Sequence, residues 1–203
     1  MMGKEKIGFI GGIMAEFSTM ALVLIPICAG INLVGGSIAA ALKLPLFFDL
    51  IGTVLAAALA GPWVAAMVGL LTNVFLALVS NPTYLPYALV GIFVGIVTGY
   101  MIKAGFFKSV WRVAITCLVA TAISVVVASS ITVFIFGGAT GATGSSILTA
   151  GLVATMGSIW QGVITSALIN NLIDRGIAFA IAYIVLKKFP KSFVSKYQQP
   201  SLE

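Results

Sequence analysis

Six apolar runs, each long enough to cross a bilayer as a helix, follow one another along this chain with hardly a charge inside them. A backbone surrounded by hydrocarbon must satisfy every N–H and C=O within itself, and a helix of about 20 residues, rising ~1.5 Å each, does so across a core of ~30 Å. The runs occupy approximately 17–42, 45–61, 62–80, 85–104, 112–136 and 160–187. Charged residues make up only 8% of the 203 and hydrophobic ones 61%, whereas soluble domains carry about 25% charge. Lipid is therefore the natural solvent for most of this surface. The expected fold is all-α, a six-transmembrane-helix bundle forming a single membrane domain over 1–203. Continuing the first helix back to Ile7 would give a rod of about 54 Å, so Glu16 marks the interface and 7–15 an interfacial helix or turn. No small-residue cleavage site follows this run, and a cleaved signal peptide is not expected.

The basic residues set the orientation through the positive-inside rule. With the N and C termini both cytoplasmic, Lys4, Lys6, Lys103, Lys108, Arg112, Lys187, Lys188, Lys191 and Lys196 all lie inside, nine of the eleven Lys and Arg. The net charge of +6 is then a topology signal, and nucleic acid is excluded as a partner. The bacterial cell membrane is the expected location.

Several chemistries are excluded. There is no histidine, so zinc motifs and histidine triads are absent. Cys28 and Cys117 each fall inside an apolar run and read as small packing residues. GGATGATGSS, residues 137–146, lacks the Gly-Lys-Ser/Thr ending of a phosphate loop and reads as an external turn; any nucleotide hydrolysis belongs to another chain. The acidic residues Glu5, Glu16, Asp49, Asp174 and Glu203 are scattered, with no pairing of the kind a membrane enzyme needs. An enzyme is the weakest reading, and no metal or cofactor is expected.

Polar groups inside a membrane are costly, so each is a site or a packing device. In SALINNLIDRG, residues 166–176, the 100° helical step puts Ser166, Asn170, Asn171, Asp174 and Arg175 in one wedge. Adjacent residues do not face each other on a helix, so Asp174 and Arg175 are each expected to seek a partner elsewhere, with Lys43 or Asp49 candidates if the first loop folds inward. Structural pairing and direct ligand contact both remain open for this wedge. Asn32, Lys43, Asp49, Asn73, Asn81, Tyr84, Tyr87, Trp160 and Gln161 all fall toward the outer half. A pocket lined by amides, a few charges and aromatic rings suits a small planar solute, although interfacial anchoring and helix packing explain any one of these residues equally well. Gly11, Ala15 and Thr19 repeat every four residues, as do Ala56 and Ala60, and small faces of this kind let helices pack closely within the protein or against a partner.

The pattern Ile31-Asn32, Gly35-Gly36, Leu42-Lys43-Leu44-Pro45-Leu46, Asp49, Ile51-Gly52-Thr53, Gly61-Pro62, Gly69 and Leu71-Thr72-Asn73 resembles the substrate-binding S components of energy-coupling factor vitamin transporters. The resemblance is nearest to the riboflavin-type group that includes hydroxymethylpyrimidine and pyridoxine carriers. It implies capture of a vitamin or precursor in an outward pocket capped by loops. It also implies association with a transmembrane coupling subunit and two ABC ATPases that reorient the protein. On this resemblance Asn32, Asn73, Asn81, Gln161 and Asn170 supply hydrogen bonds and Tyr84, Tyr87 and Trp160 cover the ring. Lys43 and Asp49 order a lid or touch a substituent, and Asp174 is a further candidate contact. Gly11, Ala15 and Thr19 stand where a coupling-subunit contact would lie. The rival reading is an autonomous ion- or proton-coupled carrier using Asp174 and Arg175, which would predict inverted repeats; none is visible.

Overall fold

The computed structural model describes residues 9–141 and 144–197, and every regular element among them is helical. Among the described residues eight helices of eight or more residues organise the fold, α1 (Phe9–Glu16), α2 (Thr19–Ala41), α3 (Ile51–Leu59), α4 (Pro62–Val79), α5 (Ala88–Lys103), α6 (Val110–Phe134), α7 (Ser145–Met156) and α8 (Ile159–Lys188), with a four-residue α9 (Lys191–Val194) after them. A short 3-10 turn, Pro82–Tyr84, bridges α4 and α5. By length and composition α2, α4, α6 and α8 can each cross a membrane. Their outward faces are apolar: Leu22, Val34 and Ile38 of α2, Val126 of α6 and Leu168 and Ile173 of α8 are all exposed. This is a membrane-embedded, multi-pass protein.

The run at 45–61 behaves differently from its neighbours. Only nine of its residues are helical, about 13 Å of helix, and 42–50 is an irregular connection in which Lys43 and Phe48 both have positive φ. Pro45 and the following Phe-Phe-Asp interrupt the helix. Gly61, at φ 107°, and Pro62 end it at the other side, with Pro62 seated at the first position of α4, where its missing N–H is no loss. Every α3 residue from Gly52 to Leu59 is buried. Its small side chains, Gly52, Thr53 and the Ala56-Ala57-Ala58 run, let α2, α4, α5 and α8 all pack around it. Thus α3 is the centre of the bundle.

The tightest helix pair, α4 with α5, rests on glycine. A Cβ on Gly69 would lie 2.5 Å from the Gly91 carbonyl, and one on Gly95 would lie 2.7 Å from Ala65. Gly99 faces Pro62 in the same way. Gly91, Gly95 and Gly99 therefore form one bare stripe at four-residue spacing, and the backbones meet without side chains between them.

Glu16 closes one end of the bundle. Its Oε2 accepts from Trp63 N at 2.9 Å and its Oε1 pairs with Lys103 Nζ at 2.5 Å. The Trp63 amide belongs to the first turn of α4 and has no partner within that helix, so the carboxylate satisfies it and the positive helix end together. Lys108, Arg112, Lys187 and Lys188 cluster at this same end, because they follow α5, begin α6 and finish α8. Lys4, Lys6 and the side chain of Lys191, which also enter the orientation argument, lie outside the described residues.

Replacing Gly95 by Leu is expected to force α4 and α5 apart and to cost about 3 kcal/mol or more. The check is thermal unfolding of the purified protein in detergent; a variant as stable as wild type would contradict this packing.

Candidate functional site

At the end of the bundle remote from Glu16, a cavity of about 110 Å³ opens between α3, α4, α5, α6, α7 and α8 and the loops joining them. It exists because two segments of the chain fold inward. The first is 42–50. Phe47 N and Phe48 N donate to the same oxygen, Asp174 Oδ1, at 3.0 and 2.8 Å. Asp174 stands midway along α8 and is wholly buried. Its other oxygen, Oδ2, accepts from Arg175 Nη1 at 2.7 Å, and Arg175 Nε donates to Ser124 Oγ at 3.1 Å. One carboxylate therefore replaces the water that two irregular backbone amides would otherwise need. The Asp174 and Arg175 pair corrects the expectation that adjacent residues seek separate partners. Arginine is long enough to bend back along its own helix, and burial leaves the carboxylate beside it as the available counter-charge.

The second inward segment comprises 137–141 and 144–149. Gly138 and Gly141 take positive φ, at 117° and 70°, and the chain then runs into α7. Gly144 packs on the Lys43 carbonyl with no room for a side chain. Thr149 Oγ1 and Ser166 Oγ are 2.7 Å apart, and Gly162 lets α7 sit directly on α8, since a Cβ there would lie 2.5 Å from Val153 N. The segment expected as an external turn thus ends in the helix that covers the cavity. Its Thr140, Ser145, Ser146 and Thr149 contribute lining. Hydroxyls in an apolar, glycine-rich stretch are the signal that could have found them, but it looks the same in an ordinary turn.

The sequence candidates divide into three groups. Asp49, Asn73, Tyr84, Tyr87 and Asn170 line the cavity, and so do Ser166, Asn171 and Arg175 of the wedge. Asn32 and Asp174 lie behind its wall. Asn32 is fully buried, with Nδ2 donating to Thr53 Oγ1 and Thr72 Oγ1 at 2.9 and 3.0 Å and Oδ1 accepting from Gly52 N at 2.7 Å. It joins α2, α3 and α4 and satisfies an amide of the first α3 turn. Lys43, Asn81, Trp160 and Gln161 stand apart from the cavity. Lys43 and Gln161 are exposed, Asn81 accepts from Thr83 N at the 3-10 turn, and Trp160 packs edge-on against Phe134. Of the small stripe on α1 and α2, Gly11 is half-buried and Ala15 and Thr19 are exposed.

The wall combines aromatic surface with directional polar groups. Tyr87 OH and Thr132 Oγ1 are 2.7 Å apart, and its ring stacks on Phe136. Asn73 Nδ2 donates to Gly69 O at 3.1 Å while the residue lines the cavity. Burial, with the nearby Asp49 charge adding to it, pushes the Tyr84 phenol up to about 12, so it stays a neutral hydroxyl. Among the described residues no group of metal-ligating side chains comes together. Such a chamber can desolvate a planar solute and fix its edges by hydrogen bonds.

The family model for the ECF transporter substrate-specific component matches residues 20–186. The chain belongs to this family. An ECF substrate-specific component, or S component, is part of a transporter rather than an enzyme, and S components associate with a module of coupling and ATPase subunits. No curated protein and no solved structure matches the chain. In this S component the matched span includes every residue of the cavity wall.

Two substitutions test the support of the site. Asp174→Asn breaks the buried ion pair with Arg175 and is expected to cost about 3 kcal/mol or more, with faster hydrogen exchange at the Phe47 and Phe48 amides. Asn32→Ala leaves Gly52 N without an acceptor and is expected to cost about 2 kcal/mol in thermal unfolding. Wild-type stability in either variant would refute its assigned role.

Proposed function

We propose that this S component captures a small heteroaromatic vitamin or vitamin precursor, a hydroxymethylpyrimidine- or pyridoxine-like molecule first and riboflavin or another vitamin second. The observation that carries this reading is the cavity itself: a chamber of about 110 Å³, well below the ~300–1,000 Å³ of sites for drug-sized ligands. A single substituted ring matches it better than a three-ring system. Tyr84 and Tyr87 supply aromatic surface, and Asn73, Asn170 and Asn171 supply amides that can read ring nitrogens and hydroxymethyl or amino substituents.

The cavity faces outward and both termini lie in the cytoplasm. What supports this is charge: Lys103, Lys108, Arg112, Lys187 and Lys188 gather at the opposite end of the bundle, as the positive-inside rule requires of the cytoplasmic side. All six runs then serve as membrane passes in the cell membrane, with the short α3 completed by the inward-folded 42–50. Substrate is released inside when a transmembrane coupling subunit and two ABC ATPases reorient the S component, and Gly11, Ala15 and Thr19 are part of the surface that meets the coupling subunit. Asn32 and Asp174 act by holding the wall, while Asp49, Asn73, Tyr84, Tyr87 and Asn170 touch the ligand.

Calorimetric titration of the purified S component with a vitamin panel tests this reading. A single-ring vitamin or precursor is expected to bind, and Asn73→Ala or Tyr87→Ala to weaken it about tenfold or more. A panel without a binder, or uptake that proceeds without any ATPase partner, would overturn it.

A further inference from the structure

The charges around the cavity do not balance. Asp49 and Arg175 line it, and Asp174 stands directly behind. Arg175 is already committed, through Nη1 to Asp174 and through Nε to Ser124, so this guanidinium and the Asp174 carboxylate largely cancel each other. Asp174 is itself saturated by two backbone amides in addition to the arginine. Asp49 is different. It is half-buried and faces the cavity, and its carboxylate takes its own backbone N–H but no side-chain donor among the described residues. The one lysine of the first loop, Lys43, is exposed and stands outside the wall. Two carboxylates therefore meet one guanidinium, and the excess negative charge points into the chamber where Phe47, Tyr84 and Tyr87 present aromatic surface.

Resting on the reading of this cavity as the substrate site, we infer that its ligand is an aromatic cation, or a ring with a protonated amidine-type edge, docked against Asp49. A planar amidinium would give Asp49 the two parallel N–H donors that no described side chain gives it, and the aromatic wall favours a cationic ring over an anionic one. A neutral ligand would leave a carboxylate desolvated without a partner, which is costly. Discrimination against anions of the same shape follows from the same charge.

Benzamidine, benzamide and benzoate are near-isosteric probes that differ in charge, so their competition on the full-length protein in detergent or nanodiscs tests the inference without knowledge of the natural ligand. Benzamidine is expected to bind at least about tenfold more tightly than benzamide, with benzoate weakest. Asp49→Asn should abolish the preference, with benzamidine and benzamide binding alike, and Asp49→Glu should retain it. Equal binding of benzamidine and benzamide, a preference that survives Asp49→Asn, or no binding by any of the three would overturn the inference. Its fate is separate from that of the vitamin assignment: a charge preference with no vitamin binder removes only the latter, and a vitamin binder with no charge preference removes only the former.

Discussion

Asp174 is the residue on which the site depends, because it makes an irregular segment tolerable inside a bundle of membrane helices. Non-helical backbone at that depth survives only where protein or a cavity satisfies its polar groups, and the Phe47 and Phe48 amides both find Asp174 Oδ1. Arg175 and Ser124 hold the carboxylate in turn. Were 42–50 helical, α2 and α3 would fill the end of the bundle and Asp49 would not reach the cavity. The buried ion pair is thus a scaffold for a loop, and the loop forms one wall of the chamber.

The rest of the architecture follows from matching small residues to close approach. The α3 core of Gly, Ala and Thr lets four helices surround it, and the stripe Gly91, Gly95, Gly99 brings α5 onto α4 with no intervening side chain. Lipid offers no hydrophobic drive for helices to associate, so packing and hydrogen bonds must provide it. Asn32 contributes three such bonds across three helices. Close packing at the Glu16 end and through the centre leaves the opposite end free to splay around a cavity.

Much of this was legible in the residues, with roles exchanged. The wedge at Ser166, Asn170, Asn171 and Arg175 follows from helical spacing, and all four line the cavity. Asn32, conspicuous as an amide in an apolar run, turned out to hold the helices together behind the wall. Gln161 stands outside it, because spacing along one helix says nothing about which way that face turns relative to another, and Lys43 does so because the irregular 42–50 backbone follows no helical spacing at all. Thr140, Ser145, Ser146 and Thr149 escaped notice because hydroxyls near glycine look alike in a turn and in a lid. The pairing of Asp174 with Arg175 was missed because backbone spacing ignores the reach of an arginine side chain.

By itself the sequence determined the solvent, the all-helical class and the membership of the family, since hydropathy, charge placement and motif are local properties of a chain. Apolar runs cannot bury themselves in water, and helices are what they form in lipid. The tertiary structure alone decided that 45–61 yields only nine helical residues, that Thr140 and the start of α7 line the cavity, and which polar groups face it. Those outcomes depend on contacts between residues far apart in sequence, above all between Asp174 and the amides of Phe47 and Phe48, and no local pattern encodes a partner 126 residues away.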